Sequence, residues 1–257
     1  MAAKIALQRL QKVFGAGTSR EVTALQEVTF AVAPGEFVCL LGPSGCGKST
    51  ILNIVAGLER SFDGAVLLDG APLAAHGGGP RPVGYVFQEP RLLPWLTVEQ
   101  NVHFGLGCQN ILRAAWGERT DRVLRMVGLD EFRHLYAHQL SGGMQQRTAI
   151  ARALAIDPEV LLMDEPFSSL DEFTARDLRK QLLGIWAETG KTILFVTHNS
   201  FEATFLADRI LLVSRRPGRI VDELAITLPR PRQYDDPDVF EVNRMVVGKF
   251  FKGIDQE

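Results

Sequence analysis

The sequence predicts an α/β fold with a mainly parallel sheet, and three observations carry that prediction. Apolar runs of strand length alternate with amphipathic helical stretches: 37–41 before 51–55, then 160–163, 171–189 and 192–196. Such alternation implies parallel strands joined by crossover helices, with ligands at the strands' C-terminal ends. The segment Gly42-Pro43-Ser44-Gly45-Cys46-Gly47-Lys48-Ser49-Thr50 stands between the first of these strands and its helix. That is the strand, glycine turn and helix context of a phosphate-binding loop. A run of helical patterns at 97–107, 117–128 and 142–155 interrupts the alternation, which marks an inserted lobe rather than a separate domain.

Taken in order, residues 4–14 and 26–33 are expected as strands, and Pro34-Gly35-Glu36 turns the chain into the strand 37–41. Residues 64–70 form a strand between glycine turns, and His76-Gly77-Gly78-Gly79-Pro80 a solvated loop. The strand 83–88 ends on the polar Gln88. The next stretch, 89–96, is apolar but punctuated by Pro90 and Pro94, so it makes a poor helix. Apolar side chains on irregular backbone suggest either a seam between lobes or a docking surface. Thr97 and Gln100 have capping-box spacing and open the next helix. His134 and His138, four apart, would share one helical face, but no third ligand is near and no metal site is expected. After 201–207 (helix) and 209–213 (strand), the tail 231–257 is expected to be weakly helical over 239–251.

Composition narrows the function. At 257 residues the chain can bury one large α/β core or one with an inserted lobe. Hydrophobic residues at 46% and charged residues at 23% are ordinary for a globular protein, and a net charge of −2 gives no pull toward nucleic acid. No apolar run approaches the roughly 18–20 residues that span a bilayer. Met1 to Val13 has no apolar core of a secretion signal, so secretion is not expected. Cys39, Cys46 and Cys108 make neither a disulfide framework nor a metal spacing, which suits a reducing cytosol.

The chemistry-bearing residues follow. Gly42, Gly47, Lys48 and Ser49 satisfy G-x-x-x-x-G-K-[ST], which implies a nucleoside triphosphate site. Glycines let backbone N–H groups curl around phosphate oxygens, and the N-terminus of the following helix adds positive potential. Lys48 would reach the β- and γ-phosphates, and the Ser49 hydroxyl would complete a Mg²⁺ shell. Asp164-Glu165 follows a buried strand, so Asp164 would hold Mg²⁺ through water and Glu165 would polarise the attacking water. Ser141, Gly142 and Gly143 open a helix and form a second anion-binding geometry. One nucleotide rarely needs two such sites in one chain, so the second is read as serving the ATP of another subunit in a symmetric dimer. Phe14 is an aromatic that would stack on adenine. Cys46 lies beside a helix N-terminus, where a thiol's pKa can fall, although a packed thiol is the simpler reading.

The phosphate loop at 42–50, the Leu140-Ser141-Gly142-Gly143-Met144-Gln145-Gln146-Arg147 run and the strand with its acidic pair at 160–165 resemble, in that order, the ATP-binding subunits of ABC transporters. The resemblance covers residues 3–225 and implies a P-loop ABC ATPase core at 3–230: a mainly parallel sheet, an antiparallel β subdomain and a helical lobe at about 89–158. By position, Gln88 is similar to the glutamine that senses Mg²⁺ and the attacking water, and His198 to the switch histidine on the γ-phosphate. Ser168-Ser169-Leu170-Asp171 is similar to the loop that communicates across the dimer, and Phe14 falls where the family stacks adenine. Three positions depart from the commonest pattern: Met144 for glutamine, Ser169 for alanine and Asn199 for aspartate.

Val86-Phe87-Gln88-Glu89, Leu93-Pro94-Trp95-Leu96-Thr97 and Met163-Asp164-Glu165-Pro166-Phe167 further resemble the nitrate/sulfonate/taurine importer branch. This implies ATP and Mg²⁺ as ligands, a homodimer with shared ATP sites, two membrane-spanning permease subunits and a periplasmic substrate-binding protein. It also implies a peripheral place on the cytoplasmic face of a bacterial inner membrane, with Leu92, Leu93 and Trp95 at the docking groove. The alternatives are an exporter or lipid-handling ATPase and a soluble cluster-assembly ABC ATPase.

Overall fold

The computed structural model describes residues 3–73, 83–109 and 111–255. The loop with His76 expected at 76–80 lies outside the described residues. The chain divides into two compact units, Met1–Gly77 with Thr192–Glu257, and Gly78–Lys191.

The first unit holds an antiparallel sheet of β1 (Ile5–Phe14), β2 (Val22–Val32), β4 (Asp63–Leu68) and β5 (Ala71–Pro72), in the order β2-β1-β4-β5. Strict alternation would carry the inward face of β1 from Ile5 and Leu7 to Arg9. Instead Arg9 takes a left-handed φ of 47°, the register shifts between Leu7 and Leu10, and Leu10 is the buried residue. A bulge thus keeps a charge out of the core. A second left-handed residue, Glu27 (φ 51°), interrupts β2. It splits the alternation of that strand, which is why the sequence pattern starts it at 26 while pairing begins at Val22 opposite Phe14.

Four more strands of this unit run in the order β10-β9-β3-β8: β3 (Phe37–Leu41), β8 (Thr192–Thr197), β9 (Arg209–Val213) and β10 (Ile220–Ala225). β3 pairs in parallel with both β8 and β9, and every residue of β3 and β8 is buried. Burial on both faces is what makes these strands continuous apolar runs. β10, which the pattern did not predict, pairs antiparallel with β9 and carries Asp222 and Glu223. Helices α1 (Lys48–Val55), α6 (Ser200–Leu206) and α7 (Pro237–Asp255) complete the unit.

In the second unit β6 (Val83–Val86) lies parallel to β7 (Val160–Asp164). It also contains α2 (Val98–Cys108), α3 (Trp116–Met126), α4 (Gly142–Ala155) and α5 (Glu172–Thr189). The Thr97 capping box forms in both directions, with Gln100 N–H donating to Thr97 Oγ1 (3.2 Å) and Thr97 N–H to Gln100 Oε1 (3.0 Å). The proline-bearing stretch before it is irregular, as its prolines require, and is held by the buried Asn101. The Asn101 amide accepts from Leu93 N–H and donates to the carbonyls of Leu93, Leu96 and Thr97. Trp95 is 68% exposed on it. His134 and His138 share no helical face: the segment between α3 and α4 forms short 3₁₀ turns, and His138 Nδ1 lies 3.5 Å from Pro94 O.

Candidate active site

In the first unit, β3 ends at Leu41 and the chain turns through the glycine-rich loop into α1. Gly45 and Gly47 have φ of 78° and 105°, conformations that a side chain resists. A Cβ on Gly47 would also stand 2.6 Å from Leu25 Cδ2 and 2.9 Å from Ala24 O of β2, so only glycine lets the loop lie there. Gly47 caps α1 with no side-chain hydrogen bond to its first turn. The Lys48 ammonium is buried and donates to Gly42 O (2.7 Å) and Pro43 O (2.9 Å), so it is held across the loop. Pro43, Ser44, Cys46, Ser49 and Thr50 complete the loop and the first turn, with Cys46 buried and Ser44 and Ser49 exposed.

His198 follows directly on β8. Because Leu41 and Thr197 are paired and Gly42 N–H donates to Thr197 O (3.4 Å), the histidine and the loop leave the same end of adjacent strands. Phe14 sits at the end of β1 opposite Val22, three residues along β2 from the Leu25 that touches Gly47. Phe14 is 42% exposed, with the Lys12 ammonium 4.6 Å from its ring centroid.

In the second unit, the parallel pairing of β6 with β7 brings Gln88, Asp164 and Glu165 to one end. Gln88 Nε2 donates to Ser168 Oγ (3.1 Å), which donates to Glu165 O (3.0 Å). Tyr85 OH approaches Asp164 Oδ2 at 3.5 Å. Burial, then Asp164, holds the Tyr85 phenol well above its usual pKa, so it stays a neutral donor. Glu165 has φ 43°, a left-handed conformation rare outside glycine and costing of order 1–3 kcal/mol. Ser141 caps α4, its Oγ accepting from Met144 N–H at 3.3 Å. Gly142 is exposed, and Gly143 is pressed against Thr174 of α5, where a Cβ would meet Cγ2 at 2.5 Å.

One electrostatic pattern sets α1 and α4 apart. Helices α2, α3, α5, α6 and α7 each carry an acidic residue in the first turn: Glu99, Glu118, Glu172, Glu202 and Asp238. Those two carry none. An acid there would neutralise the positive end of the helix dipole, so these two N-termini keep their attraction for an external anion. The glycine cradle and uncapped α1 fit a polyphosphate.

Sequence reasoning missed Arg216, whose Nη2 and Nε donate to Gly45 O at 2.8 and 3.2 Å, and Gly218, packed on Cys46 O. The Arg216-Pro217-Gly218 turn was a signal for a loop, but nothing in its spacing pointed back to residue 45.

A parallel α/β core with this loop after β3 defines a P-loop nucleoside triphosphatase. The sequence profile described as ABC transporter matches residues 25–168, more than half of the chain. An uncharacterised ABC transporter ATP-binding protein of Methanocaldococcus jannaschii is 44% identical over 96% of this chain and 91% of its own length. An aliphatic sulfonates import ATP-binding protein of Bacillus subtilis is 42% identical, covering 93% of this chain and 91% of the relative. A taurine import ATP-binding protein of Yersinia pseudotuberculosis is 43% identical, covering 89% and 92%. Among solved structures, a dimeric bacterial ABC transporter cassette superposes with a TM-score of 0.76 at 33% identity, over 88% of this chain and all of the other. A dimeric post-hydrolysis state of an ATP-binding cassette with ADP and Pi gives the same TM-score at 32% identity and the same coverage. The chain belongs to the ABC transporter family, as an ATPase coupled to transport.

Proposed function

We propose that this chain is the ATP-hydrolysing subunit of an importer for a small anionic nutrient, a sulfonate such as taurine being the class its relatives favour. One observation carries the reading: two relatives at 42% and 43% identity, matched over about nine-tenths of the chain, are named for sulfonate and taurine import. Among the described residues no helix is long and apolar enough to cross a membrane. The importer relatives support membrane-spanning partners: two permease subunits, with a periplasmic binding protein delivering cargo to the far side. The chain sits peripherally on their cytoplasmic face, with Leu92, Leu93 and Trp95 at the docking surface.

In this reading, Phe14 stacks on the adenine, and the loop residues Gly42, Pro43, Ser44, Gly45, Cys46, Gly47 and Thr50 enclose the phosphates through their backbone N–H groups. Lys48 exchanges its two carbonyl partners for β- and γ-phosphate oxygens. Ser49, Gln88 and Asp164 are the oxygen donors suited to Mg²⁺, which when bound supplies charge neutralisation on the phosphates. Glu165 accepts a proton from the water whose oxygen attacks the γ-phosphorus as the bond to the β,γ-bridging oxygen breaks, and His198 steadies the γ-phosphate. Ser141, Gly142 and Gly143 present the α4 N-terminus to the nucleotide of a second copy, so that two copies share two sites.

The test is affinity purification of tagged Glu165→Gln protein from gently solubilised membranes with Mg-ATP. Turnover should fall at least about a hundredfold with ATP binding kept, since a general base contributes ~10²–10⁴-fold. A polytopic subunit recovered in equal amount, and labelled taurine taken up by proteoliposomes holding the wild-type assembly and its binding protein, are the expected results. Recovery from the soluble fraction alone would overturn the transporter reading, and uptake of another solute but not sulfonates would overturn the cargo.

A further inference from the structure

Helix α6 is seven residues long and begins immediately after His198 and its N-cap Asn199. Isolated helices shorter than about 12–15 residues are marginal in water, so α6 depends on what closes its ends. At the N-terminal end Asn199 Oδ1 accepts from Glu202 N–H (3.1 Å) and Asn199 N–H donates to Thr197 Oγ1 (3.0 Å). The Thr197 hydroxyl in turn donates to Glu202 Oε2, a carboxylate that is 4% exposed. The residues on either side of His198 are thereby tied to the first turn of α6.

The other end is closed from the C-terminal segment. Arg232 Nη1 donates to the carbonyls of Thr204 (2.8 Å), Phe205 (3.1 Å) and Ala207 (2.8 Å). Arg230 Nη2 donates to Leu206 O (2.6 Å) and to Asp208 Oδ1 (2.8 Å). Two arginines thus take every carbonyl from 204 to 207. Arg232 is 3% exposed, and Nη2 donates to the Ile226 and Leu228 carbonyls, at 3.5 and 3.3 Å. With carbonyls as its hydrogen-bond acceptors, this buried cation faces the negative end of the α6 dipole, and the Asp208 carboxylate adds the opposing charge nearby. Phe201 and Phe205 of α6 also pack on Tyr234, with ring centroids 5.5 and 4.3 Å apart, and Phe201 on Phe240 of α7 at 5.5 Å.

We propose that Arg232 is a positioning residue for His198: by closing the C-terminus of α6 it fixes the helix whose N-cap holds the histidine, so the C-terminal segment forms part of the hydrolytic switch. The proposal rests on the reading of His198 as the γ-phosphate contact. Arg232 itself touches no nucleotide, and what it sets is where the imidazole stands. Loss of Arg232 should therefore slow turnover without weakening the phosphate cradle.

The experiment compares wild-type full chain with Arg232→Gln and Tyr234→Leu, in steady-state ATP hydrolysis and in the imidazole NMR spectrum of histidine-labelled protein. The His198 signal is assigned by its absence in His198→Ala. The expected result is a kcat at least about tenfold lower with the ATP KM within about twofold, the signature of an interaction acting in turnover rather than binding. The His198 resonance should move, and Arg232→Gln should cause no further loss in a His198→Ala background. Tyr234→Leu keeps both arginine caps and should give the same changes, smaller, so a failure of Arg232→Gln to fold does not shelter the idea. An unmoved resonance, wild-type turnover, or an equal loss in the His198→Ala background would overturn it. If His198→Ala hydrolyses ATP normally while the resonance moves in Arg232→Gln, the positioning stands and the role of the histidine fails.

Discussion

Cys46 shows how little a residue's place in a motif says about its reactivity. It lies inside the phosphate loop, yet it is 1% exposed, with Sγ 3.9 Å from the Lys48 ammonium and against the position a Cβ on Gly42 would take. Cys39 is fully buried, and burial first, then Glu202, push its thiol well above the usual range against an opposing Lys48. Cys108 is exposed. Modification follows thiolate character and access together. N-ethylmaleimide should therefore label Cys108 of the folded protein first, and Cys46→Ser should leave the rate of inactivation unchanged; peptide mass spectrometry over a time course reads both. Rapid, ATP-protected labelling of Cys46 would contradict the packing. The setting of Lys48 was legible from the sequence because Gly42 O and Pro43 O, to which it donates, lie in the same short motif. Arg216 was not, because the Gly45 carbonyl it holds is 171 residues away. Arg232 was not either, since the Thr204 and Phe205 carbonyls it holds belong to a helix that ends 26 residues earlier in chain order.

At the scale of elements, the phosphate loop is held by two neighbouring segments within its unit. Ala24 and Leu25 of β2 touch Gly47, and the turn after β9 lays Gly218 beside them, against Cys46 O. Gly218 N–H donates to Ala24 O (2.9 Å), and its carbonyl accepts from Gln26 N–H (3.0 Å). A Cβ on Gly218 would stand 2.2 Å from Cys46 O, a backbone atom with no flexible end to give way. Gly218→Ala must displace the loop, at about 1–3 kcal/mol by analogy with overpacked cores. Displacement of a cradle that binds through its own N–H groups should weaken ATP at least about tenfold, the equivalent of 1.4 kcal/mol. Calorimetric titration would measure it against Gly248→Ala, where nothing lies within 4 Å. Equal affinity in the two variants would show that the turn does not support the loop. The helices were legible in the sequence because their ends are local, as the Thr97 box shows. β10 was hidden because its Asp222 and Glu223 break the apolar pattern, and its pairing with β9 is a tertiary fact.

For the molecule as a whole, the question is why a chain that carries its own phosphate cradle also carries a second glycine-led helix free of first-turn acid. A helix N-terminus left without acid attracts an anion, and the symmetric way to satisfy two copies of each element is an isologous dimer in which each α4 faces the other copy's nucleotide. Association should then depend on ATP, because the nucleotide itself joins the surfaces. In light scattering with saturating Mg-ATP, Glu165→Gln should run at twice the 28.4 kDa chain mass, since slow turnover keeps the nucleotide in place. Without nucleotide it should run as a monomer. Ser141→Arg added to Glu165→Gln puts a long side chain where the second copy's phosphate would lie, so this protein should stay monomeric while each cradle still binds ATP. A Glu165→Gln protein that remains monomeric with its cradle filled would remove the shared site. A double variant that still dimerises would leave ATP-driven association intact but take α4 out of it, and the absence of first-turn acid there would then need another cause.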